Sequence, residues 1–174
     1  MILDKKMATP KDKPGTVGHS VVETTHVVMP QHTNAIGTVF GGQMMSWIDV
    51  CAAVSAGRHC HGVAVTASFD DVHFVYPIRH GQIVTIKSQV NAVFNTSMEI
   101  GTTVIAENLV TGEKILAIKA RSTFVALDCD GKPKKCPPLI TLTPQEKQRE
   151  EQAKTRKAIR LELRKNELNE LVKP

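Results

Sequence analysis

Asp49 is the one charged residue in the stretch NAIGTVFGGQMMSWIDV, residues 34–50. On a helix its neighbours three and four positions away are Met45, Ser46, Ala52 and Ala53, so no Lys or Arg lies one turn off to pair with it. A carboxylate buried without a cation is costly, and desolvation raises its pKa toward the range that suits a general base. An Asp facing a gap at the helix edge would have the same sequence. Upstream, Gly41 and Gly42 open the helix, where unpaired N–H groups can hold a developing negative charge and a substrate or second backbone can come close. Paired glycines also make plain tight turns. Gly42 and Asp49 face the same way, but seven helical residues rise about 10.5 Å, too far for both to serve one reacting group. The partner of Gly42 is therefore expected from another subunit, and the small residues flanking Asp49 suit a two-fold dimer with shared sites.

A second candidate group is basic. Lys119 and Arg121 alternate along a strand-like run, so both project from its outer face about 7 Å apart, a spacing that suits a diphosphate and equally an ordinary solvated face. Lys132, Lys134 and Lys135 add charge on a loop. Two motifs are weaker. AVSAG, residues 53–57, resembles a nucleophile elbow, but Ser55 falls late in a helix rather than on a strand-to-helix turn. RHCHG puts His59 and His61 on one expected strand face with no second ligand pair at zinc-like spacing, so no metal is expected.

These residues need a scaffold, and 174 residues supply one domain with one sizeable core. The net charge of +5 sits entirely in the tails, +2 in residues 1–19 and +3 in residues 143–174, around a neutral body. With no basic run interleaved with stacking aromatics, nucleic acid is not an expected partner. Four cysteines lack C-x-x-C spacing and the N-terminus lacks an apolar signal core, which points to a reducing, cytoplasmic setting. No apolar run approaches the roughly 20 residues of a membrane-spanning helix.

Along the chain, residues 1–19 read as a mobile arm, 20–142 as the domain and 143–174 as a charged helix. Residues 20–30 predict a first strand ending at Pro30, and 42–57 a helix closed by Gly57, apolar nearly all round and therefore buried. Four strand-like runs follow with no room for a second long helix between them, so the sheet is mostly antiparallel and the class α+β. In the first run the apolar parity slips at Asp70-Asp71, as a β-bulge would make it. In the second, Val84, Ile86, Val90, Ala92 and Phe94 are expected on one face. Thr143, Pro144 and Glu146 form a capping box for the last helix, whose apolar residues Ile159, Leu163, Leu168 and Leu171 suggest docking by its far end or pairing with another subunit.

The blocks VVMPQHTNAIGTVFGGQMMSWIDVCAAVSA, VTASFDDVHFVYPIRHGQIV, NTSMEIG, TGE and FVALDCDGKPKKCPPL, in this order over residues 21–139, resemble the acyl-CoA thioesterases of the hotdog fold. The resemblance implies a five-stranded antiparallel sheet wrapped on one long helix, dimers with a continuous sheet, and assemblies of dimers. It implies hydrolysis of acyl-CoA to free acid and CoA without a cofactor, by an Asn and an Asp acting across the dimer interface. By position these are Asn34 and Asp49, with Gly42 at the oxyanion and Gly41, Thr66, Ser97, Lys119 and Arg121 as substrate-binding candidates. The sequence departs from the family pattern at Ala35 and at Phe94-Asn95. The alternative is a non-catalytic acyl-CoA-binding protein on the same fold.

Overall fold

The computed structural model of the chain describes residues 10–171. Five strands, β1 (Val22–Val27), β2 (Ala64–Phe74), β3 (Ile83–Val93), β4 (Ser97–Glu107) and β5 (Lys114–Ala126), form one sheet in the order β1-β3-β4-β5-β2. Every neighbouring pair is antiparallel. A helical turn, α1 (Val17–Ser20), precedes β1, the long helix α2 (Gly41–Cys60) separates β1 from β2, and α3 (Pro144–Leu171) follows the sheet.

The sheet curls around α2 because each central strand offers one apolar face to it. Val84, Ile86, Val104, Ile118 and Ala120 bury Met44, Ile48 and Cys51 in one cluster, while Val90, Met98, Ile100 and Phe124 enclose Ala52, Ala56 and Cys60 in a second. The small residues of α2 let the helix sit close in the trough. The helix outruns the expected 42–57 span at both ends and finishes at His61, which takes the left-handed conformation at φ 49°. His59 is thus a helical residue, not one of a strand pair with His61.

Only one face of α2 is buried. Val50 and Val54 remain 60% and 43% exposed, in contrast to the all-round burial expected from composition, because the sheet covers a single side of the helix.

Of the expected arm, residues 1–9 lie outside the described residues. The end of the arm joins the body: Thr16 and Val17 are buried, the Gly15 carbonyl accepts the Ile140 amide at 2.8 Å, and the Ser20 hydroxyl just beyond accepts the Val90 amide at 3.0 Å, while residues 11–14 stay exposed. A register shift at Asn91, between Val90 and Ala92, also alters the expected facing of β3. Ala92 pairs with Glu99 and leaves the Val84–Val90 face, and Phe94 packs under the Lys157 ammonium of α3 at 3.7 Å.

The capping box of α3 forms as expected. Glu146 Oε2 accepts the Thr143 amide at 3.0 Å and Thr143 Oγ1 accepts the Glu146 amide at 3.2 Å. The docking differs, however. α3 packs by its first half on the outer face of the sheet, with Ala153 fully buried, while Ile159 and Leu163 are 53% and 57% exposed; Leu168 and Leu171 have no described side-chain surroundings. Arg156 grips the buried Glu99 through Nη2 at 2.6 Å and Nε at 3.1 Å, and Asn91 Nδ2 donates to the same carboxylate at 3.0 Å. A helix held by ion pairs carries no apolar stripe, which is why its polar half could dock.

His59 gives the core a pH dependence. Its ring is fully buried, with Nε2 against the Pro137 carbonyl at 3.0 Å, and desolvation pushes its pKa below the usual imidazole range despite that bond. A depressed pKa means the unfolded chain binds the proton better, so stability is complete above the unfolded value of about 6.5 and falls as pH drops through and below it. Thermal midpoints measured from pH 8 to 5 should decline below about 6.5, and His59→Gln should flatten that decline. Parallel curves for the two proteins would reject the assignment.

Candidate active site

Asp49 sits on α2 facing the free edge strand. It is half-buried in the single chain rather than enclosed, and its partner comes from β2: Thr66 Oγ1 donates to Asp49 Oδ1 at 2.5 Å. Thr66 reaches it because it stands in register with Phe124, a residue of the helix-facing layer. The carboxylate therefore has one oxygen fixed by a neutral donor, and no Lys or Arg is paired with it among the described ion pairs. Such a group keeps its second oxygen, Oδ2, available to accept a proton.

The loop between β1 and α2 supplies the rest. Asn34 folds this loop around itself: its Oδ1 accepts the amides of Ile36 and Thr38, each at 3.1 Å, and its Nδ2 donates to Thr38 Oγ1 at 2.9 Å. Gly37 takes φ 75° inside the turn, a conformation that favours glycine. No hydrogen bond joins Asn34 to Asp49 of the same chain among the described residues. The loop delivers the chain to Gly41 and Gly42, where the N-cap residue, Phe40, contributes no side-chain hydrogen bond to the first turn. Gly42 is exposed, and a Cβ there would meet no heavy atom within 4 Å, so the space beside this first turn is open. Beside it lies a cleft of about 280 Å3 lined by Thr38, Val39, Met44, Phe74, Tyr76 and Ile78.

The other candidates lie across the sheet. Lys119 and Arg121 point from the outer face as expected, in register with His73 and Asp71 of β2. Arg121 is engaged, pairing through Nη1 with Asp71, whose other oxygen meets His73 at 2.6 Å. Lys119 opens with Lys87 and Arg121 onto a polar cleft of about 480 Å3 that α3 roofs with Arg149, Gln152 and Arg156. Ser97 pairs with Val125, which lies on that outer layer, so it does not join Asp49. The structure thus brings together Asp49 and Thr66, puts Asn34 on the loop that leads into Gly41 and Gly42 at the start of α2, and puts Lys119, Arg121 and Ser97 on the opposite face. The placement of Lys87 and Arg149 near Lys119 was not visible in the sequence, since only strand register and the docking of α3 bring them there.

Ser55 is fully buried on α2 with no hydrogen-bond partner, unlike an exposed nucleophile. Among the described residues, no group of three His, Cys, Asp or Glu side chains is placed to hold a metal. No helix among them is long and apolar enough to cross a membrane.

An apolar seam runs beside Asp49. Phe40, Val50 and Val54 of the helix side and Phe74 of β2, which stands in register with the helix-facing Ile118, are all more than 40% exposed, next to a strand paired on one edge only. Exposed apolar side chains beside an open strand edge mark an interaction surface.

The Thioesterase superfamily pattern matches residues 36–113, the span from the Asn34 loop through Asp49, Thr66 and most of the sheet. The uncharacterized acyl-CoA thioester hydrolase YkhA of Bacillus subtilis is 46% identical over 127 residues, 73% of this chain and 74% of that protein. The acyl-CoA hydrolase of Staphylococcus aureus, solved with butyryl coenzyme A, coenzyme A and coenzyme A disulfide, superposes with a TM-score of 0.81 at 33% identity, covering 90% of this chain and 95% of that one. Further structures of that hydrolase carry alanine in place of one Asp, one Asn and one Thr. An apo-hexameric acyl-CoA thioesterase superposes at 0.82 with 37% identity over 86% of this chain and 95% of its own. With the sheet wrapped on α2 and these similarities over most of its length, the chain belongs to the hotdog-fold acyl-CoA thioester hydrolases of the thioesterase superfamily.

Proposed function

We propose that the chain hydrolyses acyl-CoA to a free carboxylic acid and CoA at a site shared between two subunits, with Asp49 as general base and Asn34 of the facing subunit beside it. The observation that carries this reading is the uncompensated carboxylate held by Thr66. Asp49 Oδ1 is fixed by the threonine hydroxyl, which leaves Oδ2 to take a proton from water as that water adds to the thioester carbonyl. The carbonyl oxygen, now an oxyanion, is met by the Gly42 N–H at the start of the facing α2, with Gly41 leaving room for the substrate. Collapse of the tetrahedral intermediate expels the CoA sulfur, and the proton held by Asp49 returns to it. Asn34 orients the water or the carbonyl, and its loop sets the approach.

Two features support the arrangement. The exposed Val50 and Val54 of α2 beside the unpaired edge of β2 fit a two-fold contact across that edge, in line with the hexameric relative. The Asn, Asp and Thr replaced in the Staphylococcus aureus hydrolase also follow one another at the separations of Asn34, Asp49 and Thr66. Lys119 and Arg121, with Lys87 and Arg149 close by in the outer cleft, are our candidates for the phosphates of the CoA nucleotide; Ser97 lies on the same face and would serve the substrate from there. We read the setting as cytoplasmic, where the four thiols stay free.

Asp49→Asn keeps the shape and cannot take a proton, so steady-state hydrolysis should fall by on the order of 10²-fold or more in a folded protein. Near-normal turnover would reject the role, and retained acyl-CoA binding with no turnover in the wild type would favour a binding protein instead. Mixing inactive Asn34→Ala and Asp49→Asn subunits should restore activity, because a mixed dimer holds one site with both native groups; verified mixed dimers that stay inactive would reject a shared site. Replacing Lys119 and Arg121 together by Ser should raise KM for acyl-CoA, less so at high salt, and spare a short thioester lacking the nucleotide. Equal loss on both substrates would remove the phosphate assignment.

A further inference from the structure

β2 is the strand that carries Thr66, and its periodicity is broken twice. Its pairing with β5 shifts between Thr66 and Ser68 and again between Phe69 and Asp71, leaving Ala67 and Asp70 as extra residues. In an unbroken strand Thr66, Ser68 and Asp70 would share one face. The two bulges instead keep Thr66 on the helix side, pack Phe69 into the core beside α2, and turn Ser68 outward with Asp70. A strand paired on one side has a single ladder to hold such a conformation, so something else must hold it.

Asp70 is the fixed point. Its side chain is only 9% exposed, and its carboxylate accepts Ser68 Oγ at 2.5 Å and Thr123 Oγ1 of β5 at 2.6 Å. Those bonds close the second bulge onto the neighbouring strand. A carboxylate so desolvated also requires a cation, and the one that pairs with it is Arg160. Arg160 is brought there by the docking of α3, one helical turn beyond Arg156 on Glu99 and two beyond the buried Ala153. An uninterrupted chain of contacts therefore runs from α3 through Asp70 and the bulged segment to Thr66 and Asp49.

We propose that Arg160 is a positioning residue for the hydrolysis, acting through Asp70 to hold the β2 bulges that aim Thr66 at Asp49. This rests on the reading of Asp49 and Thr66 as the reacting pair. Without Arg160, the unpaired Asp70 carboxylate moves toward water and the bulge that holds it loosens. Thr66 then loses its fixed direction, and Asp49 samples orientations from which Oδ2 does not meet the water. Arg160 itself does not line the outer cleft assigned to the phosphates, so the defect is expected in kcat rather than in KM.

The test is a double-mutant cycle in the full-length chain, read as kcat and KM, with hydrogen exchange of the β2 amides as a second measurement. Arg160→Gln should lower kcat roughly 10- to 100-fold with KM unchanged, and should speed exchange in β2 while leaving β3 and β4 protected. Arg160→Lys should recover part of the loss, and Lys154→Gln, which removes an exposed pair on the same helix, should change neither readout. Thr66→Val should itself lower kcat, and adding Arg160→Gln to it should cost little more. If Thr66→Val is impaired and Arg160→Gln multiplies the defect in full, or if Arg160→Gln leaves kcat and β2 exchange at wild-type values, Arg160 does not act through Thr66. Normal turnover in Thr66→Val would instead overturn the underlying reading of the site, and the proposal with it.

Discussion

The hydrogen bond from Thr66 to Asp49 crosses the seam between the central helix and the free edge strand, and much of the surrounding structure follows from what that seam requires. The helix must lie in the trough of the sheet along its whole length, which the small residues Cys51, Ala52 and Ala56 allow by burying completely against β3, β4 and β5. The carboxylate must stay at the margin of the core. A cation at its side would lock both oxygens, and full burial would demand one. With a threonine as its partner and solvent on its other side, Asp49 is directed without being neutralised.

The same seam explains why the single chain looks incomplete. Val50 and Val54 of α2 and Phe74 of β2 leave apolar surface exposed on the helix side of the free edge. Asn34 closes its loop with hydrogen bonds to Thr38, and that loop leads directly into the first turn of α2 at Gly41 and Gly42. The two-fold contact proposed above would bring the loop, the helix start and the exposed edge of the facing subunit together.

On the outer face the forces are electrostatic. Glu99 is 1% exposed and is held by Arg156 and Asn91; losing one partner of such a buried pair costs about 3–5 kcal/mol. Gly101 belongs to this network, because a Cβ there would collide with the Asn91 side chain. α3 is thereby a structural part of the domain although its composition is that of a solvated helix.

Legibility in the sequence followed the kind of force involved. Asp49 could be found because the absence of a cation at helical spacing is a local fact, and the bulge near Asp70-Asp71 because the apolar residues themselves change parity there. The capping box at Thr143 and Glu146 is likewise local. The bulge at Asn91 was hidden, since Asn fits either face and the alternation counts straight through it, which put Ala92 and Phe94 on the wrong side. The docking of α3 was hidden for a different reason: Arg156 and Arg160 look like surface charges until strand register turns Glu99 and Asp70 outward beneath them. Thr66 was legible as a candidate near substrate, whereas its bond to Asp49 depends on two strand shifts that no local pattern records.

The central claim is that a thioester carbonyl is placed between Asp49 of one subunit and the start of α2 of another. A crystal structure with a non-hydrolysable acyl-CoA analogue, its sulfur replaced by methylene, reads this directly. The account predicts the carbonyl oxygen about 2.7–3.1 Å from the Gly42 N–H, with a water between the carbonyl carbon and Asp49 Oδ2 of the facing chain. An analogue bound with its carbonyl remote from Asp49, or with Gly42 and Asp49 of the same chain at one carbonyl, would contradict it.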